Sequence, residues 1–179
     1  MNEDDDGDEQ ARVKDAYAGT HLAEFMAFLP KFNAESDRGM VLIATSFLDE
    51  LLKRTLMAFQ IEHRRSTQLV DGFAAPLGDM ATRTAATFAL GLISGQEADE
   101  ADNLRRVRNR FAHDIHVSFD DEAIVTLCAK LTMAAGDYGD VVVGPRGRFG
   151  SSATALILNL TNRPHYVSLQ RRSFTPWPY

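Results

Sequence analysis

Cysteine is nearly absent from this sequence, which contains only Cys128, and no apolar run approaches the ~18 residues that a membrane-spanning helix needs. A single cysteine cannot form a disulfide within the chain, so nothing in the sequence requires an oxidising compartment. The first residues also lack the basic and then apolar pattern of a secretory signal. Together these absences predict a cytoplasmic protein without a membrane segment. Cys128 lies in the apolar stretch 123–135, which favours a buried thiol over a reactive one.

Basic residues are missing from the beginning of the chain and acidic residues from its end. Residues 1–10 contain six acids and no base, which accounts for the whole formal net charge of −6 and leaves residues 11–179 balanced. No acid follows Asp140, whereas five arginines do: Arg146, Arg148, Arg163, Arg171 and Arg172. Like charges repel, and the first block has almost nothing apolar to bury. We therefore expect residues 1–10 to be a disordered acidic tail.

Apolar residues recur at helical spacing along most of the remaining chain, and strand-like alternation is lacking. This pattern predicts an all-α protein, a multi-helix bundle whose helices are joined by short polar turns. We expect the bundle to span residues 11–140. Residues 141–179 should form a C-terminal segment with glycines and arginines, a short helix capped by Ser151 or Ser152, and a basic and aromatic tail.

The longest apolar stripe predicts a central core helix. It covers residues 40–61 and follows Ser36 and Asp37, either of which can cap a helix N-terminus. Residues 62–65 come directly after the stripe and carry one acid, one histidine and two arginines. We expect these cations to lie near the negative end of the central helix.

Two further apolar stretches also predict helical structure. The first stripe occupies residues 11–29 and is interrupted at Gly19 and Thr20, so it predicts one helix or two short ones. It should stop at Pro30, because proline lacks the amide hydrogen that continues a helix. Another apolar run predicts a helix over residues 122–134, with Asp120 or Asp121 as its cap.

Residues 103–116 combine an apolar stripe with an unusual density of cationic and titratable side chains. At helical spacing the predicted buried face consists of Leu104, Val107, Phe111 and Ile115. One flank carries Arg105, Asn109, Ala112 and His116, and the other carries Arg106, Arg110 and His113. Acidic residues precede the arginines in the same predicted helix, which complements the helix dipole. The density of arginines therefore has a structural explanation by itself.

Several segments occur in an order that resembles the mannitol operon repressor family. They are PLGDMATR at 76–83, ALGLI at 89–93, LRRVRN at 104–109, His113 with Asp114, and FDDE at 119–122. The resemblance covers residues 36–123, about half of the chain. It implies an all-helical negative regulator of transcription that has no recognisable DNA-reading module and acts through protein partners. The operon and the partner do not follow from it.

The hexapeptide RNRFAH at 108–113 also resembles the R-x4-H signature of the HEPN superfamily, the higher-eukaryote and prokaryote nucleotide-binding proteins. Many members are helical, dimeric, metal-independent endoribonucleases. The resemblance implies that His113 is the acid–base residue, Arg108 the phosphate clamp and Asn109 a positioning residue. Imidazole titrates near neutral pH and guanidinium binds phosphate through two parallel hydrogen bonds, so these residue types suit RNA cleavage.

Helix geometry places a condition on that site. At about 100° per residue, Arg108 and His113 point about 140° apart on an unbroken helix, whereas Asn109 and His113 are i,i+4 neighbours. A helix that unwinds before His113, or two copies across a two-fold axis, could bring the groups together. The ribonuclease hypothesis therefore predicts a homodimer.

Two other interpretations of these residues are open. In a structural interpretation, Arg108 pairs with Glu50 or Asp79, Asn109 caps or bridges helices, and His113 ends the helix as a favourable cation. In a binding interpretation, the same residues form a phosphate- or RNA-binding surface without catalysis.

No cofactor or metal site is predicted. His113 and His116 flank Asp114, but cysteine ligands and further clustered histidines are lacking. The glycine-rich segment 144–150 lacks the lysine of a phosphate-binding loop. Specific binding to duplex DNA is not expected either, because the chain is net acidic and direct binders usually present a basic surface.

The end of the chain interleaves basic and aromatic residues, namely Tyr166, Arg171, Arg172, Phe174, Trp177 and Tyr179. Such a pattern can bind single-stranded nucleic acid. More often a tail of this kind docks on its own domain or on a partner. Nucleic-acid binding and docking are both compatible with the sequence.

Overall fold

The architecture is helical throughout the part of the chain that the computed structural model describes, which is residue 20 and residues 22–178. In chain order the helices are α1 (Ala23–Ala34), α2 (Asp37–Phe59), α3 (Arg64–Val70), α4 (Met80–Ala89), α5 (Gly95–His113), α6 (Glu122–Cys128), α7 (Pro145–Thr161) and α8 (Arg163–Ser168). Within these residues, β geometry is limited to one isolated antiparallel bridge between Tyr138 and Val141. The predicted all-α multi-helix bundle is confirmed.

Helix α2 is the central helix, as predicted. It contacts α1, α3, α4, α5, α7 and α8, while α6 packs against α5 and α7. The hydroxyl of Ser36 accepts a hydrogen bond from the amide of Gly39 at 3.1 Å and so caps the first turn. The apolar stripe from Val41 to Leu56 is buried, and the helix ends at Phe59 instead of residue 61.

The residues after α2 differ from the prediction. Arg64 and Arg65 are the first two residues of α3, so they lie at the positive end of a new helix and not at the negative end of α2. His63 makes this possible, because its Nδ1 accepts a hydrogen bond from the amide of Arg65 at 3.1 Å and caps α3. The charge pattern of residues 62–65 does not reveal that cap.

Pro30 does not end the first helix, which continues to Ala34. A proline in a helix interior costs about 3 kcal/mol. Phe32 offsets this, since only 2% of it is exposed and its ring stacks on Phe28 at a centroid distance of 5.2 Å. Burial of such a side chain contributes ~1.5–3 kcal/mol and an aromatic pair ~1 kcal/mol more. The predicted helix before residue 20, like the predicted acidic tail at 1–10, lies outside the described residues.

Helix α6 is shorter than predicted because a buried carboxylate accepts hydrogen bonds from the backbone that follows the helix. Glu100 on α5 accepts hydrogen bonds from the amides of Thr132 at 2.9 Å and Met133 at 3.0 Å. These amides would bond to carbonyls within α6 if the helix continued. The helix therefore ends at Cys128 and not at residue 134.

Helix α7 is longer than predicted and begins at Pro145, before the serines that were expected to cap it. Proline suits the first position of a helix, where its missing amide hydrogen costs nothing. Ser152 lies inside the helix and donates to the carboxylate of Glu100 at 2.5 Å. The apolar side of α7, including Phe149 and Leu156, belongs to the same buried cluster as α2 and α5. Among the described helices, none combines the length and apolarity that crossing a membrane demands.

Candidate functional site

Helix α5 carries the residues that the sequence singles out, and its N-terminus is firmly held. Ser94 and Glu97 form a reciprocal capping box, with amide-to-side-chain distances of 3.2 Å and 2.7 Å. The carboxylate of Glu97 also pairs with Arg163 at 2.7 Å. Burial by itself raises the pKa of Glu97, but the hydrogen bonds from Ser94 and the ion pair with Arg163 outweigh it and hold that pKa below its usual range.

The C-terminus of α5 is held by an arginine of α2. The guanidinium of Arg38 donates to the carbonyl oxygen of Phe111 and, at 2.7 Å, to that of Asp114. Carbonyl groups in the last turn of a helix have no partner within the helix, so the first bond satisfies that of Phe111, and the second holds the residue that follows the helix. The position of His113, the last helical residue, is thereby set by α2 as well as by α5 itself.

The predicted buried face of α5 is confirmed for three of its four residues. Leu104, Val107 and Phe111 are fully buried, whereas Ile115 is 80% exposed. The helix ends at His113 and the backbone of Asp114 is extended, so Ile115 no longer follows the helical stripe.

A groove lies between α5 and α6, with a volume of about 950 Å³. We call it the α5–α6 groove; its lining residues are Arg106, Asn109, Arg110, His113, Asp114, Glu122, Ala123, Thr126 and Leu127. The α5 wall is basic, the α6 wall has an apolar portion at Ala123 and Leu127, and carboxylates of Asp114 and Glu122 are also present. The side chains of Arg110 and His113 are exposed and bond to no other described residue. The groove therefore has basic, acidic and apolar side chains along its walls.

A second depression, the polar cavity, lies on the other flank of α5 and has a volume of about 410 Å³. Its lining residues are Thr45, Ser46, Asp49, Gly78, Asp79, Met80, Arg105, Arg108 and Asn109. Two of its acids already have structural roles. Asp49 pairs with the buried Arg83 at 2.5 Å, and Asp79 caps α4 by accepting from the amide of Ala81 at 2.8 Å.

The three predicted site residues do not form one site in a single chain. Arg108 lines the polar cavity, His113 lines the α5–α6 groove, and Asn109 lines both. This arrangement follows the angular separation that the sequence predicts, because α5 stays helical through His113. Asn109 and His113 lie on the same groove, as expected for an i,i+4 pair.

The predicted ion pairs of Arg108 are not formed. Glu50 pairs with Arg54 at 2.9 Å, and Asp79 is engaged at the start of α4. The guanidinium of Arg108 donates instead to the side-chain oxygen of its neighbour Asn109 at 3.3 Å, and both groups are accessible to solvent. Arg108 therefore does not connect two helices. Its guanidinium is exposed and can bind a ligand.

Several residues that shape these surfaces were not singled out from the sequence. Thr126 and Leu127 form much of the α6 wall, and Arg38 fixes the end of α5 from about seventy positions earlier in the chain. Glu122 belongs to the quoted FDDE segment, but only the packing of α6 on α5 places it in the groove. Among the described residues, histidine, cysteine and carboxylate side chains do not gather in a group of three that could hold a metal ion.

Comparison with known proteins gives a structural match. No protein-family model matches the sequence, and no curated protein matches it. The structure is similar to a chain of the X-ray structure of the MtlR–HPr complex from Escherichia coli, with a TM-score of 0.55 and 23% sequence identity. The similarity covers 78% of this chain and 95% of that chain. This likeness shows a shared helical fold.

Proposed function

We propose that this chain is a negative regulator of transcription of the mannitol operon repressor type, and that it acts by binding a protein partner in the α5–α6 groove. The observation that carries the proposal is the fold shared with a chain of the MtlR–HPr complex over 78% of this chain. The ordered segments between residues 76 and 122 support the same family independently of that comparison.

The chemistry of the groove favours a protein over a nucleic acid at this position. Carboxylates of Asp114 and Glu122 would repel a phosphate backbone, whereas a protein surface can match both charge signs. The apolar side chain of Leu127 also lines the groove and can pack against a partner. Arg110 provides an uncommitted guanidinium, which is among the groups most often enriched in protein interfaces.

A protein is the kind of partner that the comparison supports. The matched structure is a complex with HPr, so HPr from the same host is the first candidate. Binding of purified HPr should be measured by isothermal titration calorimetry. We expect Arg110→Glu to weaken binding about tenfold or more, because it reverses a charge in the groove. The matched control is Arg65→Glu, an exposed arginine of α3 that does not line the groove and should leave the affinity unchanged.

Regulation needs a separate test in the host. Deletion of the gene should raise the transcript level of the controlled operon, and the wild-type chain should restore repression. A chain with Arg110→Glu should fail to restore it, whereas Arg65→Glu should succeed. Unchanged transcripts across the genome after deletion would contradict the proposal, as would full repression by the Arg110→Glu chain.

A further inference from the structure

A second surface of the molecule combines exposed rings with uncommitted arginines, and it shares no residue with the α5–α6 groove. It forms where the C-terminal tail returns to the junction between α2 and α3. The amide of Arg172 donates to the carbonyl oxygen of Phe59 at 2.8 Å, and the side chain of Arg171 pairs with Glu62 at 3.2 Å. The tail is thus docked on its own domain through its backbone and one ion pair.

Docking does not bury the aromatic rings of the tail. Phe174 is 77% exposed and Trp177 is 78% exposed. Phe174 lines two adjoining depressions: one of about 560 Å³, shared with residues 61 and 63–66, and one of about 540 Å³, shared with Trp177 and Arg172. Contiguous exposed apolar patches, unlike single exposed residues, often mark interaction sites. Both rings are therefore accessible to solvent beside these two depressions.

The arginines around these rings have no structural role among the described residues. The side chains of Arg64, Arg65 and Arg172 are exposed and bond to no other described residue. Arg64 and Arg65 also occupy the first two positions of α3, where a positive charge opposes the helix dipole. Helix stability therefore disfavours them, and neither an ion pair nor a cap explains their presence.

Acidic side chains are lacking among the described residues that line this surface. Neither depression has an aspartate or glutamate among its described lining residues. Glu62 is the nearest acid along the chain, and Arg171 already neutralises it. The local charge is therefore positive, although residues 11–179 are balanced as a whole.

We propose that this surface, formed by Arg64, Arg65, Arg172, Phe174 and Trp177, binds single-stranded nucleic acid. The guanidinium groups contact phosphates, and the two rings stack with unpaired bases. Stacking tolerates any sequence, because every base has a π-face, so the binding is not sequence-specific. Duplexes bind less well, since their bases are already stacked on one another and cannot reach the rings.

The arrangement of charges distinguishes this ligand from an acidic peptide. Arginine and aromatic residues also occur in protein interfaces, but there the aromatic side chains insert into pockets at a desolvated centre. Here both rings are largely exposed; Phe174 shares one depression with Arg64 and Arg65, and both rings share the other with Arg172. Cations interleaved with exposed rings match a strand in which charged phosphates alternate with flat bases.

The experiment uses the full chain and labelled oligonucleotides of about 12 nucleotides, a length within the range that single-strand sites cover. Fluorescence anisotropy compares single-stranded RNA, single-stranded DNA and the duplex of the same sequence, with a polyglutamate peptide as the acidic competitor. Trp177 is the only tryptophan of the chain, so quenching of its emission reports stacking directly. We expect at least one of the two single strands to bind and to quench this emission, and the duplex to bind at least tenfold more weakly.

Variants separate the roles of the side chains. Arg64→Ala with Arg65→Ala should weaken binding about tenfold or more and reduce the dependence on salt, because fewer counterions are released. Phe174→Ala should weaken binding with little change in that salt dependence. Arg110→Glu, in the α5–α6 groove, is the matched control and should have no effect. Circular dichroism checks that each variant is folded.

Three results would overturn the proposal: no binding of either single strand at low salt, displacement of the strand by polyglutamate at equal concentration, or binding that the arginine variants leave unchanged. The single strand with the higher affinity, RNA or DNA, identifies the natural ligand. Tighter binding of either one supports the proposal. The loss of HPr binding and of repression is tested by Arg110→Glu, whereas the loss of strand binding is tested at Arg64, Arg65 and Phe174, so failure of one proposal does not imply failure of the other.

Discussion

Arg108 and His113 line two different depressions on opposite flanks of α5, and Asn109 alone of the three predicted site residues lines both. The separation arises because the helix is continuous through both positions and because Arg38 fixes its last turn. A phosphate held by Arg108 is therefore not within reach of His113 in the same chain.

RNA cleavage by a single chain is consequently not expected. Purified protein incubated with RNA and a chelator, at concentrations where sedimentation shows a monomer, should give the same background as His113→Ala. Cleavage by the monomer that disappears in His113→Ala would contradict this geometry.

A homodimer changes the expectation, because a second copy could bring its own histidine to Arg108. If cleavage appears only in a dimer, Arg108→Ala and His113→Ala should each be inactive alone. A mixture of the two variants should regain up to one active site per mixed dimer, since one of its two composite sites is then intact. A site within one chain cannot be restored by mixing, so the absence of recovery would exclude the composite arrangement.

Arg83 should be the most costly arginine to remove. Its guanidinium is buried, pairs with Asp49 at 2.5 Å and donates to the carbonyl oxygens of Leu77 at 3.0 Å and Val70 at 2.9 Å. Arg83→Ala leaves a carboxylate and two carbonyls without their partner, and breaking such a buried pair costs about 3–5 kcal/mol. Urea unfolding measures the change, with the exposed Arg64→Ala as a control expected within about 0.5 kcal/mol of wild type. A loss below about 1 kcal/mol for Arg83→Ala would contradict the prediction.

The free energy of unfolding should depend on pH through the ionisation of Glu97. Its pKa is lowered in the folded protein, so the stabilisation is fully present above its unfolded value of about 4.3 and is lost as pH falls through the folded value. The stability difference between wild type and Glu97→Gln, measured by urea unfolding from neutral pH downward, should shrink below about pH 4.3. The exposed Glu122→Gln is the control. A difference that stays constant down to strongly acidic pH would show that the charge of Glu97 is not the cause.

Cys128 should be unreactive in the folded protein. It is fully buried, as predicted, and burial raises the pKa of its thiol to about 11, with a smaller opposing effect of Arg148. At pH 8 the thiolate is therefore scarce, and the reaction with an aromatic disulfide reagent should be more than about a hundredfold slower than in the urea-unfolded chain. Equal rates in the two states would mean that the residue is accessible in the native protein.

Local patterns in the sequence predicted most of the helices because each depends on neighbours a few positions apart. The stripe of α2 and its Ser36 cap were found in this way, as were Leu104, Val107 and Phe111 on α5. Errors arose where distant groups intervene. Phe32 extends α1 past Pro30 by packing on Phe28, and Glu100 ends α6 by binding amides more than thirty positions later.

The candidate surfaces were predictable only in part, for the same reason. Helical spacing correctly grouped Arg106, Arg110 and His113 on one flank of α5. It could not show that α6 faces that flank, since nothing in a helix pattern specifies its neighbour. The basic and aromatic pattern of the tail was visible in the sequence. That Phe174 lies beside Arg64 and Arg65 depends on a backbone hydrogen bond from Arg172 to Phe59.

The sequence by itself determined the helical class, the central helix, the buried face of α5 and the angle between Arg108 and His113, because these properties follow from the period of the α-helix. Only the tertiary structure decided which flank of α5 packs against α6 and that Arg38 binds the carbonyl groups at the end of α5. It also decided that the tail places Phe174 beside the start of α3. These features depend on contacts between residues far apart in the chain, and such contacts form only when the shared core is packed.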